Sequence, residues 1–482
     1  MTDAHALNQG HDQPFVIKLP EAGPQLQEPT DGLPQPQRTL AIMCVLGAMA
    51  LAVLDAAAVN VALPTISRSF DVPPAMSVLV VTAYQTALVM ALLPCAALSE
   101  RFGYRRTFTV GVLLFVGGSA LCVLSPSLYA LVAARVIQGF GASAIMALGI
   151  ALLRFVVPER QLGAAIGWNA LTVALCAAAG PTFGAIILSV GSWPWIFAIN
   201  LPLGLAILFA TRKLPMVAPT SQKVDLASIG LNAATFASLV VAAEFLPKQP
   251  LLACVLFVIA GAGFLTLFRR EKPKLAPMIP FDLLRIHQFR IAVFASICCF
   301  AGQGAGMIAL PFYLQHGLGL TPIMSGAYIT PWPLAVAVAA PVTSRLAEHI
   351  APTWLCALGG LVLAIGLTAA ALVPLYQNPV PIVAITFVCG LGFGLFQVPN
   401  NRNMFLAAPR ARSAAAGGMQ ATARLSGQII GSVIVALLLT IAPLDVAPNL
   451  GLGIGALLAL LAGIVSLQGN NPSSKIPTNQ TF

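Results

Sequence analysis

Charge is what this sequence has least of. Only 8% of its 482 residues are charged, with 15 Asp and Glu against 25 Lys and Arg and a formal net charge of +10. Water-soluble domains carry roughly 25% charged residues, so a soluble globular fold is excluded. The basic excess does not indicate a nucleic-acid partner, because the bases lie in short stretches between apolar runs rather than along one face. Histidine is scarce too. His5, His11, His287, His316 and His349 are all there are, and none lies in the middle of an apolar run. An imidazole relay through a membrane is therefore not expected. No His cluster, Ser/His/Asp arrangement or metal-ligand spacing is present, so an enzyme, a bound metal and a cofactor are not expected either. The nine cysteines (Cys44, Cys95, Cys122, Cys176, Cys254, Cys298, Cys299, Cys356 and Cys389) all fall in apolar runs. They have neither disulfide nor zinc-site spacing and read as small buried apolar residues. No cleavable signal peptide or receptor-sized soluble domain is expected from this sequence, and no segment reads as a selectivity filter.

What the chain has is apolar length. It is 58% hydrophobic, with mean hydropathy +0.89. Segments of about 20 apolar residues cross a bilayer as helices, and fourteen are read here, roughly 41–63, 75–98, 107–125, 127–150, 162–190, 193–211, 226–246, 250–268, 289–314, 320–344, 351–373, 379–400, 413–441 and 446–468. The loops test this reading. With a cytoplasmic N-terminus, all but four of the 25 Lys and Arg lie on the inner side. The exceptions are Arg68 and Lys248 outside and Arg135 and Arg424 within spans. Such positive-inside asymmetry predicts an even number of spans with both termini cytoplasmic. Residues 1–38 and 471–482 read as cytoplasmic tails, the first polar, rich in Pro and Gln, and disordered. Residues 269–288 read as a cytoplasmic linker. The stretch Arg269 to Arg290 is either an amphipathic connector lying on the inner face or a solvated linker.

Charges inside spans are costly and face the protein interior. Arg135, in LVAARVIQGFGA, is followed by Gly139 and Gly141, which permit close helix approach. Asp55, in LAVLDAAAVNVALP, lies at similar depth on a 1.5 Å rise per residue. A direct or water-bridged Asp55–Arg135 contact is within reach. Alternatively each is satisfied by other neighbours, such as Asn60, Gln85 or Gln138. Glu244, near a span end, reads as interfacial. Asp55 is the best titratable candidate. Burial disfavours its charged form and a nearby guanidinium favours it, so a conformational change that alters the balance binds or releases a proton. Arg424, in ATARLSGQIIGS with Gly427 and Gly431 on one face, is either a second cavity charge or the partner of a backbone carbonyl.

Four motifs, taken together, resemble the major facilitator superfamily, and the span count and wording resemble its 14-helix drug:proton antiporter branch. LDAAAVNVALP, Leu54 to Pro64, is similar to that branch's first-helix signature, whose acid matches Asp55. ALSERFGYRR, Ala97 to Arg106, resembles the loop between helices two and three. Glu100 stands for the usual Asp, with Arg101, Gly103, Arg105 and Arg106 in register and Ala96 in place of a Gly. LVAARVIQGFGA matches the fourth-helix motif. AAAGPTFGA, Ala177 to Ala185, resembles the fifth-helix antiporter motif through Gly180, Pro181 and Gly184, with Ala185 in place of a Gly. WPWIFAINLPLG resembles the sixth-helix signature except at Pro194. SRLAEHIAP, Ser344 to Pro352, keeps an echo of the loop motif, with Glu348 for its acid and His349 for its Arg, as an internal repeat leaves behind.

The resemblance implies an all-α membrane protein of the major facilitator fold. Residues 39–211 form one six-helix bundle, 212–268 two inserted helices, and 289–470 the second bundle. It implies a monomer that exports amphipathic or cationic small molecules in exchange for protons across the inner membrane, with the bilayer as its other partner. The alternative is a carrier for a single metabolite. Asp55 and Arg135 would couple protons. The Glu100–Arg106 loop would act as an inner latch between the halves, or its bases merely reflect topology. Gly180-Pro181 and Gly184 would form a leak-limiting interface across the halves, or a simple packing kink. The substrate site is expected near the midplane between halves, with Tyr84, Gln85, Gln303, Trp332, Gln397 and Arg424 as candidate lining. Aromatic faces beside a buried carboxylate would suit lipophilic cations.

Overall fold

In a bilayer no water satisfies the backbone, so a chain this apolar closes its amide hydrogen bonds within helices. The computed structural model describes residues 32–217, 225–246, 249–271, 283–372, 380–408 and 413–469, and among these it is a helical bundle. The first six helices are α1 (Gln37–Ser69), α2 (Pro74–Phe102), α3 (Tyr104–Val123), α4 (Leu128–Val156), α5 (Glu159–Val190) and α6 (Trp195–Lys213). Two more, α7 (Leu226–Phe245) and α8 (Pro250–Glu271), precede the last six. These are α9 (His287–Gly317), α10 (Pro322–Ala347), α11 (Pro352–Leu372), α12 (Pro381–Ala407), α13 (Ser413–Ile441) and α14 (Ala447–Leu467). Thirteen of the fourteen are long and apolar enough to cross. The apolar stretch of α7, Ala227–Ala242, is shorter.

Local chemistry starts the helices. Ser127 accepts the Ala130 N–H at 3.3 Å, and Asp225 caps α7 through the Ser228 N–H at 3.1 Å. Proline opens α2, α8, α10, α11 and α12, where its missing N–H costs nothing. Gly103 joins α2 to α3 at φ 91°, a left-handed backbone that a side chain would strain.

The two six-helix halves repeat one pairing scheme. In the first half α1 packs on α5, α4 on α2 and α3, and α3 on α6. In the second, α9 packs on α13, α12 on α10 and α11, and α11 on α14. The repeat hinted at by SRLAEHIAP is thus present in the architecture, although the side chain of Glu348 lies outside the described residues. Between the halves α5 meets α10, α2 meets α13 and α1 meets α9, again a symmetric set. The inserted α7 and α8 pack on each other, and α7 also touches α2 and α13. The far side of α8 is open, with Leu251 80% and Val258 71% exposed, as a lipid-facing helix requires.

Several boundary expectations change. Residues 32–38 are not part of a free tail: the Leu33 N–H donates to the Val156 carbonyl at 2.9 Å, and α1 begins at Gln37. Of the cysteines, Cys254 is exposed and Cys95 and Cys176 are only partly buried, so not all of them are core residues; the Cys95 Sγ lies 3.3 Å from the Ser143 hydroxyl. Residues 1–31, 272–282 and 470–482, Lys248 and the Glu244 side chain lie outside the described residues, so most of the two tails and of the connector does too. The described end of the connector is seated: Leu283 is buried beside Phe289 and Met404.

Candidate functional site

Asp55 and Arg135 meet directly. The Arg135 Nη1 donates to Asp55 Oδ2 at 2.6 Å and to Gln138 Oε1 at 2.6 Å, and its Nε donates to the Val80 carbonyl at 3.1 Å. Gln138 Nε2 reaches Asp55 Oδ1 at 3.0 Å and the Ser119 hydroxyl at 2.9 Å. Asn200 Nδ2 donates to the same Oδ1 at 2.7 Å. Four helices, α1, α3, α4 and α6, thus bring five polar side chains to one point. Gly139 and Gly141 make it fit: a Cβ on Gly139 would strike the Tyr84 carbonyl, and one on Gly141 the Phe115 backbone. Arg135 is 1% and Asp55 3% exposed. A buried ion pair survives only when further hydrogen bonds support it; here Gln138 and Asn200 donate to Asp55, and Val80 and Gln138 accept from Arg135. Of the alternative partners read from the sequence, Gln138 joins the network. Asn60 Oδ1 and Gln85 Oε1 are buried without partners elsewhere.

Beside this network lies a cavity of about 690 Å³ between the halves. Tyr84, Gln85, Gln303, Trp332, Gln397 and Arg424 all line it, so the structure brings the six expected residues together. Its size suits a drug-like molecule. Asp55 does not line it. On α1 the cavity face carries Ala52, Val53, Ala56, Ala57 and Asn60, and Asp55 sits roughly 130° round the helix from the middle of that face at 3.6 residues per turn. The expected carboxylate beside the cavity aromatics is therefore absent, and no Asp or Glu lines the cavity among the described residues. Tyr84 separates the two sites. It lines the cavity, and the Arg135 guanidinium stacks on its ring at 4.0 Å from the centroid.

Arg424 has a different environment from Arg135. Its Nε is buried with no hydrogen-bond partner, so the pairing with a backbone carbonyl considered from the sequence is not made there. Along α13, Arg424, Gln428 and Ser432 recur every fourth residue and all face the cavity. Gly427 and Gly431, on the adjoining side of the helix, pack against α9, where a Cβ would collide with the Ile297 and Ala301 carbonyls.

The Glu100–Arg106 loop, expected to act as a latch, forms no ion pair with the second half among the described residues. Glu100, Arg101 and Arg106 are exposed, and Glu100 forms no ion pair with a described residue. Among the described residues Arg105 donates to the Leu214 carbonyl of its own half, at 3.5 Å. At the opposite end the halves are joined. The Thr182 and Thr330 hydroxyls hydrogen-bond, and Gln315 Nε2 donates to the Val61 carbonyl at 3.0 Å. The α5 motif splits between two partners. Gly180 and Gly184 pack on Ala57 and Ala58 of α1 in their own half, which corrects the expectation that they face the other half. Their neighbours Pro181 and Ala185 are the ones that meet Gly326 of α10.

Sequence reading missed Ser119 and Asn200. Their only signal was a polar residue inside an apolar span, and a lone Ser or Asn there is common enough not to stand out.

The chain matches the family model of the Major Facilitator Superfamily over residues 45–432. It is 43% identical over 454 residues to the uncharacterized transporter YebQ of Escherichia coli (strain K12), covering 92% of this chain and 98% of that one. The riboflavin transporter RibZ of Clostridioides difficile (strain 630) is 29% identical, covering 80% and 84%. The multidrug resistance protein Stp of Mycobacterium tuberculosis (strain CDC 1551 / Oshkosh) is 31% identical, covering 79% and 72%. Among solved structures, a POT family transporter in complex with a thioalcohol-conjugated peptide matches with TM-score 0.70 at 15% identity, covering 90% of this chain and 97% of that one. At that identity the likeness concerns the fold alone.

Proposed function

The chain belongs to the major facilitator superfamily, and on that premise we propose that it is a proton-coupled exporter of amphipathic small molecules. It works as a monomer, by alternating access across the bacterial inner membrane, with both termini in the cytoplasm. The observation that carries this reading is the placement of the Asp55–Arg135 pair one tyrosine ring away from the cavity. Protonating Asp55 would cancel the pair's Coulomb attraction and free the guanidinium that stacks on Tyr84. Occupancy of the cavity and the charge on Asp55 then act on the same ring. Alternating access is supported by the two ends: the halves are joined through Thr182, Thr330 and Gln315, while the Glu100–Arg106 loop forms no ion pair with the second half among the described residues. The latch role of that loop belongs to the opposite state, in which Glu100 would meet bases of the second half. The similarity to Stp supports a polyspecific exporter.

The test uses everted vesicles acidified inside by respiration, with internal pH followed by a quenched dye. Amphipathic anions, cations and neutral compounds are added in turn. The expected result is alkalinisation with several unrelated compounds, lost in Asp55→Asn at normal expression. Full proton-coupled transport by Asp55→Asn would overturn the coupling assignment. The second reading is a carrier for one metabolite, favoured by the similarity to RibZ, and a response to a single compound would select it.

A further inference from the structure

We propose that Arg424 is the anion-binding residue of the cavity, and that the compounds carried are amphipathic organic anions: an aromatic or apolar body bearing one carboxylate. This deepens the exporter reading, and its transport arm rests on that reading.

The two intramembrane arginines give the contrast. Arg135 has a carboxylate, an amide, a carbonyl and an aromatic face. Arg424 lines the cavity with its Nε unpartnered, and no Asp or Glu shares that cavity among the described residues. A guanidinium stays protonated at any working pH. A cation held at membrane depth without a counter-charge is costly, and the cavity is where that charge can be answered. The fork of N–H donors matches a carboxylate in geometry as well as in sign. A cationic ligand would meet the opposite: repulsion from Arg424 with no acid to offset it.

The rest of the wall suits the remainder of such a molecule. Gln428 Nε2 donates to Gln303 Oε1 at 3.4 Å, which leaves the Gln303 amide N–H groups to face a ligand on the Arg424 side. Phe300 and Phe393 also line the cavity, edge to face with centroids 5.1 Å apart. With Trp332 and Tyr84 they form an aromatic wall for a flat apolar body.

The experiment compares two probes of one shape and opposite charge, pyrenebutyrate and pyrenebutylamine, on the purified full-length protein. Binding is read by energy transfer from tryptophan to pyrene. The wild type is expected to bind the carboxylate at least about tenfold more tightly than the amine, the scale of one charge-assisted hydrogen bond. Arg424→Gln is expected to abolish the preference, and Arg424→Lys to retain part of it, each with an unchanged elution profile. Equal binding by the wild type, preference for the amine, or binding of neither probe overturns the proposal. So does a folded Arg424→Gln protein that keeps the carboxylate preference. The wild-type comparison stands even if the variant does not fold. The exporter reading fails separately, if proteoliposomes show no proton-driven movement of pyrenebutyrate although the binding preference is present.

Discussion

At the residue scale the Asp55–Arg135 pair is a coupled unit, and its coupling is measurable. Removing one member strands a buried charge, which costs about 3–5 kcal/mol, whereas removing both leaves a neutral polar site. Asp55→Asn and Arg135→Gln are each expected to lower thermal stability in detergent strongly. The double variant is expected to be less destabilised than the two losses combined, by more than about 1 kcal/mol. Additive losses would mean that the 2.6 Å contact contributes nothing. Both charges were legible in the sequence because an ion within a span is rare and must be compensated. Asn200 and Ser119 were not, since a neutral polar side chain in a helix can satisfy itself. Asn200→Leu is expected to cost about 1–3 kcal/mol by leaving Asp55 Oδ1 short of one donor. Thermal unfolding of that variant alone checks it.

At the scale of elements, helix faces decide what sequence motifs can only suggest. Spans and loops were legible because apolar length and loop charge are one-dimensional signals. Which side of a helix faces what is not, until the neighbours are known. Thus α1 presents Ala52 and Ala56 to the cavity and turns Asp55 inward, and α5 presents Gly180 to its own half but Pro181 to the other. The contact that closes the far end depends on Gly326, where a Cβ would collide with Ala185 and come within 2.7 Å of the Pro181 carbonyl. Gly326→Leu is therefore expected to hold α10 off α5 and stop transport in a folded protein. A cysteine at Thr182 should then react faster with a water-soluble thiol reagent than in the Gly326 parent. An unchanged labelling rate would show that the contact is not part of the closure.

At the scale of the whole molecule, two similar halves meet across a central cavity and are joined at one end. Locking that end should arrest the cycle. Thr182→Cys with Thr330→Cys, whose parent hydroxyls touch, is expected to lose transport on oxidation and regain it on reduction, while either single variant is indifferent to oxidant. Persistent transport by the cross-linked protein would exclude rocking of the halves about the cavity. The lone positive charge of Arg424 carries a further consequence at this scale, through the membrane voltage. Exchanging one proton inward for a monovalent cation outward moves no net charge and draws only on the pH difference. Exchanging it for a monovalent anion moves two charges per cycle down an inside-negative potential, about 4.6 kcal/mol per 100 mV. That voltage alone would sustain roughly a thousandfold concentration ratio, so a cell with no pH gradient at all could still keep itself clear of such acids.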